Sequence, residues 1–211
     1  EAEALARDHA DADAVFAVTY VYASHAMVRQ AREMVLAGDL GEIRQVHVEY
    51  FQQGMLARGD GDAAWRLDPA RSGPSLTVAD IGTHAFHLAE FASARRVTDL
   101  RAECLVAGAP KSLEDTAHAW LRLEGGATGT LMVSQAMAGA ACGLRLRIGG
   151  TRASLFWDAE APETLHHRPA DGPAQTITRG HGGGVKPAVE RLVRMPRGHP
   201  EALSDAWANL Y

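Results

Sequence analysis

The sequence predicts an α+β domain, a mostly antiparallel open sheet with its helices on one face. Three observations carry this. Two segments of helical period, 24–37 and 77–94, occupy the first half of the chain. From residue 97 onward the chain becomes a succession of strand-like stretches. These are separated by Gly125-Gly126, Gly139 and Gly149-Gly150, at spacings typical of hairpins. Two helices followed by a run of strands cover one face of a sheet, which leaves the other face needing a partner.

Taken in order, residues 1–9 read as the last turns of a helix, and the run Ala14 to Tyr20 is short, β-branched and aromatic like a buried strand. A helix followed by such a strand resembles the final unit of a parallel α/β sheet. From Ser24 to Ala37 the apolar residues Met27, Val28, Ala31, Met34 and Val35 recur at three and four, with Ser24 placed to cap the start and Gly38 to end it. Gly41 to Gln53 alternates, with Ile43, Val46, Val48 and Tyr50 among Arg44, Gln45, His47 and Glu49, which predicts a strand with one face buried. Residues 54–76 are broken by Gly54, Gly59, Gly61, Pro69, Gly73 and Pro74 and read as a long loop. Loops of that length inside a compact domain are often functional. After the 77–94 helix, strands are predicted at 97–107, 116–123, 127–136, 142–149 and 153–157. Residues 158–200, rich in Pro, Gly, His and Thr, are expected to be irregular. Leu203, Trp207, Leu210 and Tyr211 return to helical spacing, so both ends read as interrupted elements.

A length of 211 residues allows one large domain, or one domain and part of another. A net charge of −5 argues against a phosphate-tracking surface, and so against nucleic acid. The apolar runs fall short of the roughly 18 residues needed to span a bilayer, so no membrane is expected. Cys104 and Cys142 have no close Cys or His partner in sequence, which fits neither a disulfide framework nor a zinc knuckle and points to reduced thiols. No export signal is visible, and a cytoplasmic location is the expectation.

The chemistry concentrates in Ala79-Asp80-Ile81-Gly82-Thr83-His84-Ala85-Phe86-His87. On a helix, Asp80 and His84 share one face about 5–6 Å apart at their Cβ atoms. A carboxylate beside an imidazole orients the ring and stabilises its protonated form, which suits a general acid or base near neutral pH. The competing reading is that Asp80 caps the helix and His84 packs in the core. A metal site built on Asp80, His84 and His87, with His166, His167 or His199 added, is the less favoured reading because the ten histidines are scattered. His181-Gly182-Gly183-Gly184 matches the oxyanion loop of some lipases, but no Gly-x-Ser-x-Gly elbow accompanies it, so it reads as a flexible loop.

The stretch Ala64-Trp65-Arg66-Leu67-Asp68-Pro69-Ala70-Arg71-Ser72-Gly73, followed by Asp80-Ile81-Gly82-Thr83-His84, resembles the signature of the Gfo/Idh/MocA oxidoreductases, the glucose-fructose oxidoreductase and inositol dehydrogenase group. Other segments agree in order: Tyr20 to His25, Gly38 to Ile43, Gly126 to Gly129 with Ser134-Gln135, Gly149 to Thr151 leading to Trp157, and Gly198-His199-Pro200-Glu201 leading to Tyr211. The resemblance implies a two-domain parent. Residues 1–22 would be the tail of its Rossmann domain, and 23–211 its substrate-binding and oligomerisation domain. The Gly-x-Gly-x-x-Gly turn that places a pyrophosphate at a helix N-terminus is absent, as is the family's Glu-Lys-Pro motif.

By the same resemblance, His84 is the catalytic acid and base and Asp80 its support. Arg66, Trp65 and His199 fall on substrate-binding positions, and Tyr20 and His25 on cofactor-binding ones. Simple alternatives stand beside these: Trp65 as a loop anchor, His199 as an exposed loop histidine, Tyr20 and His25 as packing residues. Two departures are visible, Cys142 where relatives carry Asn, and an altered glycine-rich run at Ser72 to Thr77. The implied cofactor is NAD or NADP, bound mainly by the other domain. The implied partners are a sugar or polyol substrate and a second copy, in a dimer or tetramer joined through the sheet face. A noncatalytic oligomerisation module is the alternative.

Overall fold

A computed structural model describes residues 2–10, 17–56, 64–180 and 184–194. Helix α1 (Ala2–Ala10) is followed by extended coil over residues 17–20 and a 3-10 turn, Val21–Ser24, that leads into α2 (Ala26–Leu36). Gly38 ends α2 at φ +76°. Its N–H donates to Val35 O and that of Asp39 to Met34 O, the paired bonds of a Schellman cap, which only a residue tolerant of positive φ closes without strain. Strand β1 (Ile43–Phe51) follows. After a 3-10 turn at Ala64–Leu67, the short α3 (Pro69–Ser72) begins with Asp68 Oδ1 accepting from Ala70 N at 3.0 Å. A π-helical turn, Val78–Gly82, then runs into α4 (Thr83–Ser93).

The remaining strands are β2 (Val97–Leu105), β3 (Thr116–Leu123), β4 (Thr128–Ser134), β5 (Gly143–Gly150), β6 (Ala153–Asp158), β7 (Thr164–Pro169) and β8 (Gln175–Thr178), with the short α5 (Glu190–Arg194) at the end. They form one eight-stranded sheet in the order β2-β3-β4-β1-β5-β6-β7-β8. Every neighbour pair is antiparallel except β1 and β4, which run parallel with Val48 opposite Leu131.

Helices α2 and α4 pack on one face of this sheet. Met27, Val28 and Ala31 of α2 and Ala85, Leu88, Ala89 and Ala92 of α4 are fully buried against Val46, Leu144, Ile148 and Trp157. The alanines let the backbone of α4 approach β1 closely, and the area removed from water is the main stabilising contribution. The strand pleat turns the alternate residues to the opposite face. There Trp120, Thr130, His47, Arg147, Phe156 and His166 form one row across six strands. Trp120 is 73% exposed on this face. In a parallel row Arg145 pairs with Asp158 at 2.8 Å, Glu49 at 3.1 Å and Glu160 at 3.6 Å.

The predicted α+β architecture is the observed one, with differences at particular elements. Residues 158–180 are not irregular: β7 and β8 extend the sheet, and Leu165 and Ile177 turn inward from strands too short and polar-flanked to announce themselves. Residues 17–20 of the expected buried strand are coil, with Val18 57% exposed, because no strand among the described residues pairs with them. Ser24 does not cap α2. Its Oγ donates back to Val21 O at 2.6 Å, and His25 takes the cap position. The 203–211 helix lies outside the described residues. Among the described residues no helix is long and apolar enough to cross a membrane.

Candidate active site

The site is built where the π turn meets the ends of β1 and β4. The turn is held by a carboxylate from outside it: Glu114 Oε1 accepts from Leu76 N and Val78 N, each at 3.0 Å, and from Ser75 Oγ at 2.7 Å. Asp80 is therefore not the cap of this helix. Thr83 N donates to Val78 O, a turn one residue wider than an α turn, and such turns are concentrated at functional sites. Asp80 sits within this turn. Its Oδ2 accepts from Arg66 Nη1 at 3.0 Å and from Gln135 Nε2 at 2.9 Å.

His84 stands one turn on, half-buried, with Nδ1 sealed from solvent and without a hydrogen-bond partner. Its ring is walled edge-on by Tyr20 at 5.7 Å and Tyr22 at 5.4 Å between centroids. Burial lowers its pKa below the ordinary histidine value, against the opposing pull of Asp80, so the neutral imidazole is favoured. Tyr20 also stacks on His87 at 4.2 Å, and burial lowers the His87 pKa as well.

A hydrogen-bonded arc continues from Asp80. Gln135 Nε2 also donates to Gln52 Oε1 at 3.2 Å, and Gln52 Nε2 donates to the Tyr50 hydroxyl at 3.1 Å. The Tyr50 and Tyr22 hydroxyls lie 2.5 Å apart, with Cys142 Sγ 3.2 and 3.3 Å from them. Burial, and then the contact with Cys142, push the Tyr22 hydroxyl up to about 12, so it stays protonated. Burial raises the Tyr50 pKa too. On the other side of Asp80, a hollow of about 190 Å³ opens between Trp65, Arg66 and Ser75. The Trp65 ring is 43% exposed, with the Arg66 guanidinium 5.5 Å from its centroid.

The structure thus brings Asp80, Arg66 and Trp65 together at the hollow, with His84 and Tyr20 one turn away. It sets His25 apart: the His25 ring packs between Tyr22 at 6.0 Å and Trp157 at 5.4 Å, and burial lowers its pKa. His199 lies outside the described residues. Among the described residues no group of three or more His, Cys, Asp or Glu side chains is placed to hold a metal ion. Gln135, Gln52 and Tyr50 were not singled out as functional from sequence. The one signal was Ser134-Gln135, a polar pair closing an otherwise alternating strand.

Residues 28–156 match the GFO/IDH/MocA C-terminal domain, and the chain belongs to that family. It is 34% identical over 206 residues to the uncharacterized oxidoreductase YfiI of Bacillus subtilis (strain 168), covering 93% of this chain and 51% of that protein. The chain therefore spans about half the length of the curated relative it matches. Among solved structures, an inositol dehydrogenase homolog from Azotobacter vinelandii, complexed with NAD+, superposes with a TM-score of 0.87 at 38% identity over 100% of this chain and 55% of that one. The complex of that homolog with NADH and myo-inositol gives 0.84 at 36% identity, over 100% of this chain and 54% of that one. An oxidoreductase from Sinorhizobium meliloti gives 0.83 at 34%, over 100% of this chain and 55% of that one.

Proposed function

We propose that this chain is the substrate-binding and oligomerisation half of an NAD(P)-dependent oxidoreductase acting on a sugar, polyol or related carbonyl compound. In this reading residues 1–22 end the dinucleotide-binding domain and residues 23–211 form the second domain. The observation that carries it is a neutral-leaning imidazole, His84, with its Nδ1 buried and an oriented carboxylate one turn before it. The likeness to the myo-inositol complex supports the substrate class.

The donor set fits such a cofactor and substrate. A single base between two aromatic walls suits hydride chemistry, and the Trp65 ring with the Arg66 guanidinium at the hollow suits a molecule with several hydroxyls. A bound nicotinamide would supply the hydride acceptor. On this chain, His84 Nε2 takes the hydroxyl proton as the carbinol carbon becomes a carbonyl, and returns it in the reverse direction. Asp80 favours the imidazolium that forms. Trp65 and Arg66 line the substrate side, and Tyr20 stands edge-on to the His84 ring. The fragment alone, without a glycine-rich phosphate turn, would neither bind dinucleotide productively nor turn over.

A second role rests on the open sheet face, where Trp120 is 73% exposed and, three strands away, Arg145 pairs with Glu49 and Asp158. We assign that face to pairing with a second copy of the chain. The experiment for the enzymatic reading is His84→Ala in the full-length protein. Hydride transfer should fall by about 10²–10⁴ while the oligomer stays intact, and an unchanged rate would remove His84 from the chemistry.

A further inference from the structure

Gln135 is 3% exposed, and its side-chain amide is fully engaged in a way that fixes its orientation. Thr77 Oγ1, itself buried, donates to Oε1 at 2.8 Å, which leaves Nε2 to donate to Asp80 Oδ2 and to Gln52 Oε1. Its backbone is tied as firmly. Gln135 N donates to Asp115 O at 2.8 Å, and Gln135 O accepts from Met55 N at 2.7 Å. Asp115 is in turn wholly buried and ion-paired with Lys111. The amide is thus a rigid donor, built from the end of β4 and aimed at one oxygen of one carboxylate. Arg66 reaches the same oxygen, but from a 39% exposed side chain on a loop, where a long cation holds its geometry weakly.

We propose that Gln135 is a positioning residue for the reaction, setting the rotamer of Asp80 so that its charge bears on His84. The proposal rests on the reading of Asp80 and His84 given above. Two donors on Oδ2 leave Oδ1 as the oxygen engaged by neither, and the carboxylate is held with the field of that oxygen available to the imidazole. The groups facing this pair are Arg66 on the Asp80 side, Glu114 at the start of the turn, His87 one turn along α4, and the Tyr20 and Tyr22 rings against His84. Among the described residues, Arg66 and Gln135 contact the carboxylate itself, and Gln135 does so from a buried position.

The test uses the full-length protein carrying Gln135→Leu, Asp80→Asn or His84→Ala, and follows the His84 imidazole through its titration by histidine-labelled NMR. Asp80→Asn should move the His84 midpoint down, because the pull that opposes burial is lost. Gln135→Leu should move it in the same direction by at least about half as much. A second variant, Gln135→Glu, keeps the acceptor for Thr77 Oγ1 and sets a second carboxylate against Asp80, so that the two share a proton. With the wild type's best nicotinamide and polyol pair, the acid limb of its kcat/KM profile should move up by about one pH unit or more, with KM within about threefold. A His84 midpoint that shifts in Asp80→Asn but not in Gln135→Leu, with an unmoved acid limb in Gln135→Glu, overturns the positioning role and leaves the site standing. Full activity in His84→Ala overturns the site and this proposal with it. A lowered melting temperature alone, with midpoint and limb unmoved, counts against the proposal, since it reports only a lost core contact.

Discussion

Asp80 and His84 lie one turn apart and make no hydrogen bond to one another. The Asp80 carboxylate is taken by Arg66 and Gln135, while the His84 ring is enclosed by Tyr20 and Tyr22. The pair communicates through charge across the turn rather than through a shared proton. A carboxylate held this way stabilises an imidazolium without competing for its proton.

Asp80→Asn removes the charge and keeps the shape. In the full-length protein it should cost about 10²-fold in turnover, while Arg66→Ala, with Gln135 still in place, should cost nearer tenfold. Steady-state rates of the two variants under one set of conditions check the order. A larger loss in Arg66→Ala would mean that Arg66 binds substrate directly and that its ion pair is incidental.

The pH dependence of stability follows from four histidines. Burial lowers the pKa of His25, His47, His84 and His87 below the unfolded value of about 6.5. Each is kept neutral by the fold, so unfolding takes up protons, and the stability they support is present above about pH 6.5 and lost as the pH falls. Urea melts at pH 7.5 and 5.5 should show a lower midpoint at the acid value. A flat profile would mean that these rings are as well solvated folded as unfolded.

Asp115 should be the most expensive polar side chain to delete. Burial pushes its carboxyl up, but Lys111, the Ala107 and Gly108 N–H groups and the Thr116 hydroxyl together hold it below the usual value. Asp115→Ala strands the Lys111, Ala107 and Gly108 donors, while the Thr116 hydroxyl keeps Ser134 Oγ as a partner, and should cost about 3 kcal/mol or more, whereas Lys111→Met leaves the carboxylate its other donors and should cost less. Because its folded pKa is depressed, this stability is present above the unfolded value and is lost as the pH falls below that value and through the folded one. Chemical denaturation of both variants measures the difference.

Gly129→Ala tests the parallel pairing. A Cβ there would lie 1.9 Å from Val46 O, inside the β1–β4 ladder. The strands must part to admit it, at a cost of about 3 kcal/mol. An unchanged unfolding midpoint would show that this ladder yields without penalty.

Trp120→Asp addresses the open face. In the proposed isologous contact a charge at this position meets its own copy, so an oligomer seen in sedimentation of the full-length wild type should dissociate in the variant at the same concentration. Retention of the assembly would place the contact elsewhere.

Much of this molecule was legible residue by residue. The 3.6 period of α2, the alternation of β1, the glycine breaks between β3, β4, β5 and β6, and the candidate pair Asp80 and His84 are local patterns, and local patterns are what a linear sequence carries. What could not be read there depends on distant residues meeting. The strands β7 and β8 exist because Leu165 and Ile177 find a sheet edge to extend, although their own stretch reads as loop. Ser24, a good capping residue by type, turns instead to Val21 because the chain enters α2 through a 3-10 turn. The widened turn at Asp80 is set by Glu114, 34 positions on, and the orientation of its carboxylate by Gln135, 55 positions on. The sequence by itself determined which candidate side chains share a helix turn or a strand face, because spacing along a helix or strand is a one-dimensional property. Only the tertiary structure decided where those side chains point, because that follows from hydrogen bonds and burial closed across the fold between residues that no periodicity connects.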